Sequence, residues 1–242
     1  MIDLIADLHT HTLVSGHAYN TIREMAFSAQ EKGLKILGIS EHAPGIPGTV
    51  HPIYYANLYV VPREIYGVKL LHSCEINVLN DGTLSLEDKY INHLDYAIIG
   101  IHGLCYTDAG ADGNTKNLIA CMQNPKVAFI SHPDDDNTPL NYKMLIEAAK
   151  KYDVALEINN SSFIKQHKRL NCVENYKTIL GLCMEYNVNV VVSSDAHEAS
   201  HLAEWNYAME LIKDMNFNEE LILNNDIDKI NKHILKASSY KL

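Results

Sequence analysis

Three histidines, His9, His11 and His17, crowd into DLHTHTLVSGH, directly after an apolar run. His9 and His11 are two apart, and on an extended strand residues two apart share a face, so both imidazoles can reach one point. Imidazole and carboxylate suit zinc, iron and manganese and can also carry protons. The pattern recurs along the chain. GISEH ends on His42, HSCEINV carries Glu75, AIIGIH ends on His102, FISH on His132, and VVVSSDAH on Asp195 and His197.

The elements that must position these residues are short apolar runs rich in Val, Ile and Leu: LIADLHTH, KILGISEH, KLLHSCEINV, LDYAIIGIHG, KVAFISHP, DVALEINNSS and NVNVVVSSDAH. Each reads as a buried strand. Helical patterns lie between most of them, such as Ile22, Met25, Ala26 and Ala29, opened near Asn20 or Thr21 and closed by Gly33, and later Trp205, Ala208, Met209 and Ile212. Strands buried on both faces that alternate with helices pair in parallel, which predicts an α/β fold: a distorted seven-unit β/α barrel of TIM type, one domain spanning residues 1–242. An open doubly wound sheet competes, but no GxGxxG or GxxxxGK[ST] loop follows any strand.

In such a barrel the carboxyl ends of all strands converge on one face. His9, His11, His17, His42, Glu75, His102, His132, Asp195 and His197 would then line one cup. At roughly four protein ligands or fewer per catalytic metal, these nine side chains imply two or three ions, with Glu75 and Asp195 placed to bridge them. His72, His93, His167, His201 and His233 fall off the strand ends and read as core or surface residues.

Composition narrows the partners. Thirty acidic against 20 basic residues give a net charge of −10, which disfavours nucleic acid and anionic membrane surfaces. Five cysteines without a CxxC pair argue against a disulfide framework or thiolate zinc site. The absence of a signal-like N-terminus and of any long apolar run points to a cytoplasmic protein. Nothing in the sequence signals an oligomeric state.

Taken together, DLHTHT, GISEHAP, CEINV, GIHG, ISHPDDD and VVVSSDAH resemble the PHP family, named for polymerase and histidinol phosphatase domains. SGHAYNTIREM and EINNSSF are similar to the family's stand-alone bacterial phosphatases, with the likeness running from about residue 3 to residue 215. The resemblance implies a trinuclear cup. One ion would take His9, His11, Glu75 and Asp195, a second His17, His42 and His197, and a third Glu75, His102 and His132.

The expected activity is that of a metal-dependent phosphatase acting on a small phosphorylated substrate, with zinc the first choice of metal and manganese or iron next. A hydroxide shared by two ions would attack phosphorus while the metals neutralise the developing charge, and Asp195 or His197 would supply the leaving group's proton. Glu75 joins them as a catalytic residue if it bridges two ions. Amide or lactone hydrolysis, a nuclease and a non-catalytic metal-binding protein are the alternatives.

Three further segments are candidates of a lesser kind. Asn159, Asn160, Ser161, Lys165, Lys168 and Arg169 follow the sixth run and could bind substrate, and residues 44–67 could form a lid carrying His51, Tyr54 and Arg63. Asp134, Asp135 and Asp136 read as turn and helix-cap residues.

Overall fold

Seven strands run parallel in chain order in the computed structural model, which describes residues 2–242. They are β1 (Ala6–Thr10), β2 (Ile36–His42), β4 (Val68–Asn77), β5 (Ala97–Gly100), β6 (Val127–Ile130), β7 (Ala155–Asn159) and β8 (Val190–Ser193); the short β3 (Glu64–Ile65) pairs antiparallel with β4. Every expected strand is present, and the sheet curls into a nearly closed barrel.

Period-two alternation grades the barrel interior. On β4 the inward face reads Leu71, Ser73, Glu75, Asn77; on β7 it reads Ala155, Glu157, Asn159; on β8 it continues through Val191 and Ser193. Leu71, Ala155 and Val191 join Leu8, Ile36, Tyr96, Ile98 and Phe129 in an apolar plug at the amino end, while Ile76, Leu156, Ile158, Val190 and Val192 face the outer helices. Apolar side chains therefore fill the bottom, hydroxyls the middle, and acids and imidazoles the top.

The helices form where the sequence pattern places them. Thr21 caps Ile22–Glu31 in a reciprocal box with Glu24, and Gly33 follows at φ 79°, a left-handed backbone that glycine adopts freely. Asn206–Asp214 forms the late helix, buried through Ala208, Leu211 and Ile212. Among the described residues no helix is long and apolar enough to cross a membrane, and the five cysteines are free thiols.

The stretch 44–67 is folded, with the helix Ile53–Ala56, a 3-10 turn and the β3–β4 hairpin, and does not bring His51, Tyr54 or Arg63 to the cup. Tyr54 packs against the outer core, His51 is exposed, and Arg63 pairs with Asp95 at the amino end of β5, opposite the cup, with its guanidinium 4.6 Å from the Tyr240 ring.

Closure between the first and last strands relies on a residue outside both. Among the described residues β1 and the segment just past β8 share one bridge, Thr10–Ala196, and below it the buried Asn224 fills the seam. Its Nδ2 donates to Ala6 O at 2.8 Å and Val192 O at 2.7 Å, and its Oδ1 accepts from Val192 N at 3.1 Å. Leaving three buried backbone groups unpaired, Asn224→Ala should cost roughly 2–4 kcal/mol, read as a lower urea midpoint. Asn224→Asp should cost as much, since a carboxylate cannot donate to two carbonyls. A midpoint that hardly moves would mean that the seam closes without this side chain.

Candidate metal centre

Glu75 lies at the middle of the cup with no solvent contact. Its Oε2 is 2.9 Å from His42 Nδ1, 3.3 Å from His9 Nε2 and 3.6 Å from His11 Nε2. Its Oε1 faces the other way, 2.9 Å from His132 Nε2 and 3.3 Å from His102 Nε2. Asp195 Oδ1 is 3.3 Å from His11 Nε2 and 3.4 Å from His197 Nδ1, and His17 Nε2 lies 3.1 Å from His197 Nε2 at the mouth. All nine residues singled out in the sequence thus converge.

Their chemistry fits divalent cations. Two ligands held about 2.0–2.1 Å from one ion lie roughly 3–3.5 Å apart, the spacing seen across the cup. His9 Nε2, His11 Nε2, His42 Nδ1 and both Glu75 oxygens are buried without a hydrogen-bond partner, although buried polar groups are normally paired. Three sets have ligand atoms within 4.8 Å of one another: His9, His11 and Asp195; His11, His42 and His197; His42, Glu75 and His102. The first follows the expected grouping; the others draw in His11 and His42 where His17 and His132 were expected.

An outer ring of acceptors turns the imidazoles inward. His9 Nδ1 donates to Glu157 Oε1 at 2.6 Å, His102 Nδ1 to Asn77 Oδ1 at 2.9 Å, and His197 Nδ1 to Asp195 O at 3.0 Å. His11 Nδ1 donates to Ser15 Oγ at 3.0 Å, and the Ser15 hydroxyl donates in turn to the buried Glu41 Oε2 at 2.6 Å. Such bonds fix the tautomer that leaves Nε2 free. Glu157 does most: it also accepts from Ser193, from His132 N at 2.6 Å and from Asn159 Nδ2 at 3.1 Å. Glu157, Glu41, Ser15 and Asn77 escape the strand-end rule, yet an acid inside the apolar string VALEI was a visible signal.

Charge at the centre is set by competition. Burial raises the Glu75 carboxyl, but His9, His102 and His42 outweigh it and hold it well below the usual carboxylate range. Asp195 behaves likewise, burial being overcome by His9, His11 and His197. Burial drives His11 well below the ordinary imidazole value, helped by His42 and His197, and lowers His17, His102 and His197. His9 goes the other way: burial lowers it, but Glu157, Glu75 and Asp195 raise it well above.

The loop after β7 contributes unevenly. Asn159 Nδ2 donates to Asp195 Oδ2 at 3.2 Å, and Ser161, Lys165 and Arg169 line the cup, which encloses about 190 Å³. Asn160 instead accepts from Ala208 N, and the Lys168 side chain is exposed. A groove of about 450 Å³ opens beside His102 between Ile46, Leu104, Tyr106 and Thr138. The aspartates are turn residues, Asp135 accepting from Asn137 N at 3.0 Å and Thr138 N at 3.0 Å, but not helix caps. Asn141 caps Tyr142–Tyr152, while Asp134 accepts from Ser162, Tyr176 and Arg169, Asp135 from Leu170 N, and Asp136 from Asn175, tying the β6 and β7 loops together. His72 is buried below the cup; His93, His167 and His201 are exposed, and His233 pairs with Asp153.

Comparison with known proteins now adds a family. Residues 7–238 match the PHP domain. A probable phosphatase of Clostridium novyi (strain NT) is 37% identical over 238 residues, covering 98% of this chain and 97% of that protein. Another, from Thermoanaerobacter sp. (strain X514), is 37% identical over 241 residues, covering 99% and 97%. The fold is similar to histidinol phosphate phosphatase from Lactococcus lactis, solved with zinc, L-histidinol and phosphate, at TM-score 0.59, 17% identity and coverage of 88% and 94%. It is also similar to a chain of an archaeal ribonuclease P bound to mature tRNA, at TM-score 0.52, 18% identity and coverage of 87% and 89%. Fold alone therefore does not choose a reaction.

Two outcomes follow from the ring around the centre. Glu157→Gln replaces an acceptor with a donor beside His9 and His132, and should weaken zinc binding about 10- to 100-fold, read by competition with a chromophoric chelator. Because neighbouring carboxylates raise the pKa of His9, a second proton competes with zinc for the Nε2 lone pair that the neutral ring offers, so affinity should rise with pH by up to about tenfold per unit below that raised pKa. Calorimetry in buffers of different ionisation enthalpy should show proton release; none would mean that His9 is already neutral.

Proposed function

Because the chain belongs to the PHP domain family, we propose that it is a metal-dependent phosphatase that hydrolyses a small phosphomonoester at a cup holding three divalent ions. The observation that carries this is the buried Glu75 carboxylate, whose two partnerless oxygens face separate sets of inward-turned imidazoles. His9, His11, His17, His42, Glu75, His102, His132, Asp195 and His197 would hold the ions, zinc first, manganese or iron next. Ions bound there would activate water and neutralise charge on the phosphoryl group.

The chain's own residues supply the rest. Asp195, kept ionised by its imidazole neighbours, takes the proton of the attacking water and returns it to the leaving alkoxide. His197, whose pKa is lowered by burial, stays neutral and orients Asp195 through its bond to the backbone carbonyl. Ser161 at the cup wall is a hydrogen-bond donor for phosphoryl oxygens, and the groove beside His102 has the size to take the alcohol portion. Histidinol phosphate is a candidate substrate through the likeness to the Lactococcus enzyme. The net charge of −10 opposes a polynucleotide.

The test is phosphate release from a generic phosphomonoester by metal-stripped protein before and after zinc, manganese or iron(II) is returned. Turnover should return with metal, and Glu75→Ala should lower it at least about a hundredfold, more than alanine at any one histidine. Metal that rebinds without restoring turnover would sink the phosphatase assignment and favour carbonyl hydrolysis.

A further inference from the structure

Two cations from the loop after β7, Lys165 and Arg169, line the cup. They differ in how far they are already used. Arg169 Nη2 donates to Asp134 Oδ1 at 3.0 Å and His132 O at 3.1 Å, and Nη1 lies 3.7 Å from Asp135 Oδ2. Its charge is spent on holding the loop. Lys165 is held only by its backbone, whose N–H donates to Ser161 O at 3.0 Å and Ser162 O at 3.2 Å. Among the described residues its ammonium has no carboxylate within 4.0 Å and no hydrogen bond, yet it lies close enough to His197 to help lower that imidazole's pKa.

An exposed lysine normally points to water. This one is on the wall of the cup beside Ser161, Ser162 and Arg169, and of the two cations there it alone has no carboxylate partner among the described residues. Ions held in the cup would supply most of the attraction for an anion, whereas orienting one oxygen takes a directed donor from the protein, and the unpaired ammonium on the wall is such a donor. Resting on the phosphatase assignment, we infer that Lys165 is the residue that grips a non-bridging oxygen of the phosphomonoester dianion and so sets preference for monoesters over diesters. A diester carries one anionic charge fewer and an alkyl group where one such oxygen would be.

The experiment uses zinc-loaded full-length protein, wild type, Lys165→Met and Lys165→Arg. Inorganic phosphate binding is measured by equilibrium dialysis, and kcat/KM is measured for p-nitrophenyl phosphate and for methyl p-nitrophenyl phosphate. Lys165→Met should keep its zinc, bind phosphate about tenfold more weakly or worse, and lower the monoester-to-diester ratio by a similar factor, with Lys165→Arg recovering most of both. Unchanged phosphate binding and an unchanged ratio in Lys165→Met would overturn the role of Lys165 and leave the phosphatase assignment standing. A zinc-loaded wild type that neither binds phosphate nor turns over either ester would overturn that assignment, and the grip with it.

Discussion

A carboxylate with no solvent contact, Glu75, has five imidazole nitrogens within 3.6 Å of its two oxygens, and the rest of the protein is arranged so that this charge can be kept. An unpaired buried carboxylate would cost several kcal/mol, far more than one contact returns. Compensation must come from several directions at once. Imidazoles on β1, just past it, on β2 and just past β5 and β6 can surround a residue of β4, and would hold cations against it, only if the sheet curls until its strand ends face one another. Closing the barrel and stabilising the carboxylate are therefore one constraint, which is why Asn224, far from the cup in sequence, matters to it.

Buried acids serve two opposed purposes here. Glu41 and Asp7 have their pKa values raised by burial, although hydroxyl and backbone donors pull the other way: Thr12 and Ser15 on Glu41, Ser194 and Ala203 on Asp7. They fix the shape of the β1 and β8 loops. Glu75 and Asp195 instead face nitrogens and are pulled down, so they keep charge where the ions would lie. Glu157 ties strand ends together, its four bonds spanning His9 on β1, His132 after β6, Asn159 on its own strand and Ser193 on β8. One side chain thus sets three strand ends against each other.

How much of this was legible in the sequence follows from the range over which each feature acts. Strands, their order, the eight strand-end residues and His17 in the first loop were legible because residue type and a period of two are local properties. Glu157 was not singled out because its partner His9 lies 148 residues away, and nothing in VALEI says which neighbours the barrel will bring. Arg169 and Asp134 to Asp136 were read separately as a loop cation and a turn, and the fold keeps the turn but also joins them into one lock between the β6 and β7 loops. The stretch 44–67 looked like a lid because it lacks periodicity, yet Tyr55 bonds to His42 O at 2.8 Å and Arg63 reaches the opposite end of the barrel. Absence of a pattern is not evidence of motion.

Two of the nine cup residues are held in a left-handed backbone that side chains other than glycine resist: His132 at φ 31° and Asp195 at φ 52°. Each costs on the order of 1–3 kcal/mol and persists only where surroundings over-determine it. His132 is clamped from both sides of its residue, N–H to Glu157 Oε2 and carbonyl to Arg169 Nη2. Asp195 is clamped by the His197 imidazole on its carbonyl and by Asn159 on its carboxylate. In both cases the turn aims the side chain back over the barrel axis at the point where the strand would otherwise carry it away. The clamps and the strain are thus parts of one device, and apart from His197 the residues that make the clamps, Glu157, Arg169 and Asn159, come from β7 and the segment that follows it. β7 supplies none of the nine predicted ligands, and its task is to make ligands of its neighbours.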